Sequence, residues 1–408
     1  MKSVPRSLAL CLALALGLAL FPIFPATTLA ASTVIVGDTD VTVGSETMWT
    51  TNGSSTLTGG ATDANYNVKY ENGVLTLRGA NITGVDTTTY GAAIYADGDL
   101  TIVLEATASV LEGLGNKPPV TGGVFGSAGI YVDGKLTIEG AGDLTSKSDP
   151  SYNGNSYGVW AKDVELKSGA LSGETTRQNI ITGTRWGVYA ENSITVSGGD
   201  LTGKNPDAIG ESATYRNYGV FAGTSINMTG GTLTGQAGRA DVGSSYGVAV
   251  DNGSIEVYGG ALTGTAKKGS MSYGVRGNSV TVFGGTLSGT GGDSPGGSYG
   301  VYTDPFANNC LVSGGTLTGH SDHPGGGTAP KQAFNKAPVI GSGYLTPQVA
   351  YGNSSSGING TGSNQATVDN HYTERYLSIV SGPYTSQAAV GGAGEANIPK
   401  TGDNAMPG

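Results

Sequence analysis

The chain has 408 residues, of which 71 are glycine and only 13% are charged, a composition outside the range of ordinary globular domains. Its formal charge of −10 makes nucleic acid and anionic membrane surfaces poor partners, since both repel an acidic protein. A glycine content this high first requires a search for internal repeats.

The N-terminus has the pattern of a secretory signal peptide. Lys2 and Arg6 precede an apolar run at residues 8–24, and small residues follow around Ala30. We therefore expect residues 1–30 to be removed near Ala30 and the protein to be secreted and extracellular. No later apolar stretch approaches the roughly 18 residues that a membrane span requires, so no span is expected in this chain.

Removal of this segment changes the charge and the cysteine count. Taking Lys2 and Arg6 from 21 basic residues leaves 19 against 31 acidic ones, a formal charge of −12. Cys11 is lost as well, so Cys310 stays as a single cysteine and no internal disulfide can form. The mature chain must therefore be stabilised by packing.

The C-terminus resembles the sorting signal that sortases recognise in Gram-positive surface proteins. In that family the enzyme cleaves between Thr and Gly and joins the Thr to the cell wall, so the resemblance implies peptidoglycan as a partner and a cell-wall-anchored full-length form. The usual first residue is Leu rather than Ile, and no apolar span and basic tail follow before Gly408. Residues 381–408 otherwise have the composition of a flexible linker. The motif consists of Ile398, Pro399, Lys400, Thr401 and Gly402.

The middle of the chain repeats a short motif, an aromatic residue followed by Gly, Val and a second aromatic residue. The aligned Val or Ile residues are separated by steps of 36, 29, 29, 32, 28, 27 and 26 residues. Eight copies at such narrow spacing indicate one structural unit per copy. The aligned positions are Ile94, Ile130, Val159, Val188, Val220, Val248, Val275 and Val301.

Each copy continues with two further short segments in which apolar and polar residues alternate. In one copy these are residues 193–196 and 200–203, separated by Gly198 and Gly199. Period-two alternation and many β-branched residues predict strands, and the glycine pair predicts a tight corner with positive φ. One copy has too little apolar surface to bury a core by itself. The sequence therefore predicts an all-β protein, a right-handed parallel β-helix (solenoid) of about 8–9 coils.

The alignment also assigns a position to the cysteine of the mature chain. Cys310 and Val312 align with Ile194 and Val196, which are expected to point into the solenoid together with Leu201. Cys310 is therefore predicted to be a small buried hydrophobic residue rather than a nucleophile.

Other segments suggest how the array is organised and how its ends are covered. Residues 31–84 are predicted to form N-terminal strands and a cap, and residues 85–319 the repeats. Residues 320–380 are predicted to form a C-terminal coil and cap. The expected strands outside the repeats are residues 34–36, 41–43, 74–77 and 376–380.

The second aromatic residue of the motif is the main candidate for ligand binding. It follows the inward Val or Ile, so we expect it to face outward, with one ring per rung at a spacing near that of successive sugars. Such rings can stack on sugars, or on one another to stabilise the rod. Ala249 and Arg276 interrupt this column, which we call column A and which comprises Tyr95, Tyr131, Trp160, Tyr189, Phe221 and Tyr302.

The first aromatic residue of the motif forms a second column. It shares the parity of the inward Val, and the sequence therefore predicts packing in the core or at a corner. We call it column B; it comprises Tyr157, Trp186, Tyr218, Tyr246, Tyr273 and Tyr299.

Acidic side chains recur at the turn after the first strand of each copy. Asp97, Asp133 and Asp163 are candidate Ca²⁺ ligands if adjacent coils bring their carboxylates together. Asp is also an ordinary turn residue, and this alternative requires no metal.

Residues 70–319 resemble the carbohydrate-binding parallel β-helix domains of surface proteins from anaerobic Gram-positive bacteria, which are related to the pectate-lyase-like superfamily. The resemblance implies a surface carbohydrate-binding protein or adhesin that binds a polysaccharide or a host or plant glycan, with acidic plant polysaccharide and Ca²⁺ as the family expectation. Two alternatives are a structural stalk without a specific ligand and a polysaccharide lyase or hydrolase. Catalysis would need converging acids, and no such pair recurs on adjacent coils, so no catalytic residue is assigned.

Overall fold

The computed structural model describes residues 30–84, 91–114, 126–149, 155–176, 183–207, 216–240, 242–304, 310–322, 330–341 and 347–381. Apart from Ala30, the predicted signal peptide lies outside these residues. Residues 382–408, which include the sorting motif and all of the predicted linker except Ser381, also lie outside the described residues.

The repeats form a parallel β-solenoid, which confirms the predicted all-β fold. Each copy contributes one strand to each of three stacks. The first stack contains β7 (Ala92–Ala96), the first halves of β10 (Gly126–Gly140) and β12 (Asn155–Leu166), β14 (Arg185–Ala190), β17 (Asn217–Ala222), β20 (Ser245–Val250), β23 (Ser272–Gly277), β26 (Ser298–Thr303) and β29 (Lys331–Phe334).

The second and third stacks continue the same coils. The second contains β5 (Val74–Leu77), β8 (Leu100–Leu104), the second halves of β10 and β12, β15 (Ser193–Val196), β18 (Ser225–Met228), β21 (Ser254–Val257), β24 (Ser279–Val282), β27 (Cys310–Val312) and β30 (Val339–Ile340). The third contains β6 (Asn81–Thr83), β9 (Ser109–Leu114), β11 (Asp143–Asp149), β13 (Ala170–Thr175), β16 (Asp200–Lys204), β19 (Thr232–Ala237), β22 (Ala261–Ala266), β25 (Thr286–Gly291) and β28 (Thr316–Ser321).

The strands pair in parallel and in the register that the repeat alignment predicts. Val188, for example, lies between Val159 and Val220. Within the described residues, the solenoid makes about seven turns from the rung of β7 to the rung of β26, slightly fewer than the 8–9 coils expected. At about 4.8 Å per step, seven steps give a rod roughly 34 Å long.

The interior is one continuous cluster of apolar side chains, to which every coil contributes several residues. Val188, Ile194, Val196 and Leu201 are completely buried, as the alternation predicts. Cys310 is also buried, in register with Val280, and burial raises the pKa of its thiol to about 12. The predicted burial of this cysteine in the core is therefore confirmed.

The corner between the second and third strands has the predicted glycine geometry. The second glycine of each pair has positive φ, as at Gly199 (+72°) and Gly231 (+69°). A Cβ on Gly199 would lie 2.2 Å from the carbonyl oxygen of Gly169 on the preceding rung. Glycine is therefore required at this corner both by its backbone conformation and by the lack of space.

A second set of glycines brings the first and third strands of the coil together. A Cβ on Gly187 would lie 2.3 Å from the amide nitrogen of Lys204, and one on Gly203 would lie 2.0 Å from the carbonyl oxygen of Gly219. The two strands are thus in backbone contact across the interior. We call this contact the glycine seam; it comprises Gly158, Gly187, Gly219, Gly247, Gly274 and Gly300 of the first stack and Gly173, Gly203, Gly235, Gly264, Gly289 and Gly319 of the third.

The N-terminal end is covered by antiparallel strands. Strand β1 (Val34–Val36) pairs with β2 (Thr39–Asp40) and β7, while β4 (Val68–Glu71) pairs with β3 (Met48–Trp49) and β5. The strand predicted at residues 41–43 does not form. Asp40 instead accepts a hydrogen bond from the Thr42 amide at 2.9 Å, which stabilises a turn and leaves Val43 62% exposed.

The C-terminal end is also covered by antiparallel strands. The strand predicted at residues 376–380 is present, but it runs antiparallel to β28 and ends the parallel stack instead of adding a coil. A short helix adds Val368 to the core, and no helix in the described ranges is long and apolar enough to cross a membrane. This cap comprises β31 (Pro347–Gly352), β32 (Ile358–Gly362), α1 (Gln365–His371) and β33 (Tyr376–Ser381).

The glycine seam leads to a stability prediction. The substitution Gly235→Ala places a Cβ 2.1 Å from the carbonyl oxygen of Gly247, so the backbones must separate. We expect the free energy of unfolding to fall by about 1–3 kcal/mol or more, measured by urea denaturation followed by circular dichroism. The matched control is Thr234→Ala, which alters a partly exposed side chain of the same strand and should have little effect. Equal denaturation midpoints for the two variants would contradict the prediction.

Candidate ligand-binding surfaces

Both aromatic residues of the motif lie on the outside of the solenoid. Gly187 and Val188 are both buried, so the inward–outward alternation shifts by one residue at this glycine. Trp186 and Tyr189 consequently share the outer surface, with ring centroids 5.3 Å apart at 74°. The outward position expected for column A is therefore present, whereas the parity argument for column B was wrong.

The rings of column A stack face to face along the rod. Ring centroids are 5.7 Å apart for Tyr95 and Tyr131 and 4.3 Å for Tyr131 and Trp160, with planes within 10° of parallel. The next separations, through Tyr189 to Phe221, are 6.0 and 5.2 Å. A sugar binds an aromatic ring through the ring face, and here adjacent rings occupy the faces between them. Column A therefore has the geometry of the self-stacking alternative.

Column B forms a second, more deeply buried stack beside column A. From Tyr157 to Tyr299 successive ring centroids are 4.7, 5.9, 4.5, 5.0 and 5.7 Å apart. Edge-to-face contacts link the columns, as between Tyr218 and Phe221 at 5.1 Å. The last four members are at most 8% exposed, but they belong to a cluster separate from the main core. Column B therefore packs, as predicted, but it does so on the outer face of the sheet and not in the core.

The interruption of column A does not open a gap in the aromatic surface. Ala249 is fully buried between the rungs of Phe221 and Arg276. The Arg276 guanidinium lies 5.8 Å from the ring centroid of Tyr246 and 4.0 Å from an Asp251 carboxylate oxygen. A cation–π contact therefore takes the place of a ring at this rung.

The three candidate Ca²⁺ ligands are not brought together. Asp163 lies in register with Lys135 and accepts a hydrogen bond from the Ser193 amide at 3.1 Å. Asp133 pairs with the Lys162 ammonium group at 2.7 Å. Over the described ranges, no group of three or more His, Cys, Asp or Glu side chains could hold a metal ion.

Asp97 likewise has a structural role at the N-terminal cap. Its carboxylate accepts hydrogen bonds from the Ser32 amide at 2.8 Å and the Thr33 amide at 2.9 Å. Partial burial raises the pKa of Asp97, but the hydrogen bonds from Ser32 and Thr33 outweigh it and hold the pKa below its ordinary value. Asp97 and Asp163 thus bind backbone amides and Asp133 binds Lys162, so the geometry favours the alternative that requires no metal.

A pair of aromatic residues that the motif search missed is the most exposed aromatic surface of the described rod. Tyr258 is 50% exposed and Phe283 is 44% exposed, and their rings stack at 4.7 Å. Each ring immediately precedes a glycine-pair corner, at a position where other copies have Ser197, Thr229 or Ser313. The available signal was this replacement of a small polar residue by an aromatic one in two consecutive copies.

The buried tyrosines predict how the rod responds to alkali. Burial, followed by the neighbouring Tyr246, raises the pKa of Tyr218 from 10.0 to about 12, and the nearby Arg216 only partly offsets this. A tyrosine with a raised folded-state pKa stabilises the fold fully below pH 10, and this contribution is lost as the pH rises towards 12. We expect part of the tyrosinate absorbance to appear only in that window, together with loss of near-ultraviolet circular dichroism. If all tyrosines titrated near pH 10.0 in the folded state, as they should in urea, the burial of column B would be refuted.

No protein-family model, curated protein or solved structure matches the chain. The parallel β-solenoid is present in the structure, and the relation to carbohydrate-binding β-helix domains stays a prediction.

Proposed function

We propose that this chain is a surface-displayed stalk, an exported rod whose aromatic columns stabilise it instead of holding a ligand. The observation that supports this function best is the use of ring faces within columns A and B for stacking from rung to rung. A rod whose aromatic rings stack on one another is stabilised without a ligand, and it can hold another part of a surface protein away from the cell.

The charged side chains fit the same function. In the first half of the rod, ion pairs join consecutive rungs, as between Lys135 and Glu165 at 2.5 Å and between Lys167 and Glu139 at 3.3 Å. Such partly exposed pairs contribute only about 0–1 kcal/mol each. The stiffness of the stalk must therefore come mainly from the continuous core and the two aromatic columns.

The proposed location is the outer face of a Gram-positive cell wall. Its support is the signal-peptide pattern at residues 1–30 and the sorting-like motif around Thr401. In this proposal Thr401 is the residue joined to peptidoglycan, and the solenoid projects from the wall.

Carbohydrate binding is the second candidate function. The sugar track first expected along column A would need ring faces that are occupied by other rings. The specific observation in favour of a sugar ligand is instead the exposed pair of Tyr258 and Phe283. We propose no catalytic role and no bound Ca²⁺.

The double variant Trp160→Ala/Tyr189→Ala separates the two functions of column A. If the column is structural, removing two partly buried rings should lower the free energy of unfolding by about 2–5 kcal/mol and leave any polysaccharide retention unchanged. Urea denaturation and affinity electrophoresis measure the two effects. The control is Thr195→Ala, at a partly exposed position of the rung of Tyr189, which should change neither. Unchanged stability with lost retention would show that column A binds the glycan and would refute the stalk role.

A further inference from the structure

We propose that Tyr258 and Phe283 form a binding platform for a neutral polysaccharide, with a pyranose ring lying against the face of Tyr258 that points towards Thr229. This inference does not depend on the stalk function. It rests on the second candidate function, carbohydrate binding, and deepens it by naming the site and the class of sugar.

The first support is the exposure of two large stacked rings. Tyr258 and Phe283 are 50% and 44% exposed, whereas the Tyr246 ring of column B, with rings on both sides, is 7% exposed. Their planes are within 11° of parallel. Isolated exposed aromatic residues are ordinary, but a stacked pair presents one rigid apolar surface with little conformational freedom to lose on binding.

The second support is the small size of the neighbours on both sides of the pair. The backbone amides of Tyr258 and Phe283 donate to Met228 and Val257, in the same pattern as those of Thr229 and Ser313 donate to Val196 and Val282. These four residues therefore follow one another at a spacing of one rung. Since Thr229 and Ser313 are small, each ring has one face packed on its partner and one face without a ring opposite it. This distinguishes the pair from the interior members of columns A and B.

The polar groups favour the Tyr258 side of the pair. The Tyr258 hydroxyl donates a hydrogen bond to a Glu256 carboxylate oxygen at 2.8 Å, which fixes the ring. Asn227 lies in register with Glu256 on the rung that ends at Thr229. The Asn227 amide, the Thr229 hydroxyl and the Glu256 carboxylate thus lie on the two rungs that border the open face, and they supply donors and acceptors suited to sugar hydroxyls. Beside Phe283, the corresponding residues are Leu311 and Ser313, which offer fewer such groups.

The charge of this surface selects a neutral sugar. Among the second-stack strands around the pair, β18, β21, β24 and β27, the single charged residue is Glu256. The third-stack strands that follow the corners, β19, β22 and β25, contain neither Lys nor Arg. A uronate would therefore meet a carboxylate without a compensating cation nearby. This differs from the acidic plant polysaccharide that the family resemblance implies.

An extended polymer fits better than a single sugar. The corner after Tyr258 leads directly into β22, whose Thr263 is in register with Thr234 and Ser288. Hydroxyl groups therefore recur at each rung beside the aromatic pair. One stacking contact with a few hydrogen bonds is weak, so repeated contacts along a polymer would supply the avidity.

The test is affinity electrophoresis of the full mature chain in gels containing hydroxyethyl cellulose, galactomannan, arabinoxylan or polygalacturonate. We expect retention by at least one of the three neutral polymers and weaker retention by polygalacturonate. The variant Tyr258→Thr, which copies Thr229 of the preceding rung, should fold normally and weaken the affinity by about tenfold.

The variant Phe283→Ser, which copies Ser313, should weaken the affinity less, because it removes the ring behind Tyr258 and leaves the binding face. The control Thr281→Ala should bind within about twofold of the wild type, since Thr281 lies on the rung of Phe283, away from the proposed sugar. Circular dichroism and thermal unfolding check that all three variants fold. The proposal is overturned if no neutral polymer retains the protein, if polygalacturonate retains it most strongly, or if folded Tyr258→Thr binds as well as the wild type.

Discussion

The contact between two columns of glycine is the constraint on which the rest of this solenoid depends. Where Gly187 and Gly203 meet, the first and third strands are too close for any side chain. The repeated Gly before Val and the repeated Gly after Leu-Thr therefore have one common cause. Ser146 is informative here, since it occupies an equivalent position one rung before Gly173 and its hydroxyl donates to the Gly158 carbonyl at 2.7 Å. At that rung the third strand carries a small side chain, and this side chain bonds to the opposing strand instead of leaving the two backbones in direct contact.

The same glycine determines the outer surface. Because the first-stack glycine of the seam points inward next to an inward Val, the residues on either side of this buried pair both point outward. A rung can therefore carry two rings instead of one, as at Trp186 and Tyr189 or at Tyr218 and Phe221. The two rings pack edge to face within a rung and face to face between rungs. This arrangement buries apolar surface outside the core and stabilises a thin rod that has no disulfide in its described part. The most exposed aromatic rings of the described rod lie elsewhere, at Tyr258 and Phe283, where other copies have small polar residues.

The sequence was sufficient to predict the features that depend on spacing and alternation. Rung register, the inward position of Ile194, the positive φ of Gly199 and the burial of Cys310 follow from aligned copies and period two. The direction of column B could not be predicted in this way, because counting by two through Gly187 assumes an alternation that the close backbone contact interrupts. Whether the ring faces stack depends on the χ angles of the aromatic side chains, and the repeat pattern does not specify these angles. Tyr258 and Phe283 were missed because they replace small residues at a position outside the conspicuous motif.

The glycine seam turns both aromatic columns away from the core. The most direct measurement is the nuclear Overhauser effect between ring protons and methyl groups in a sample with labelled Tyr, Val and Leu side chains. The Tyr246 ring should show contacts with the rings of Tyr218 and Tyr273, and none with the interior methyl groups of Val248 and Leu262. Strong contacts between the Tyr246 ring and those methyl groups, without contacts to the neighbouring tyrosines, would show that column B lies in the core.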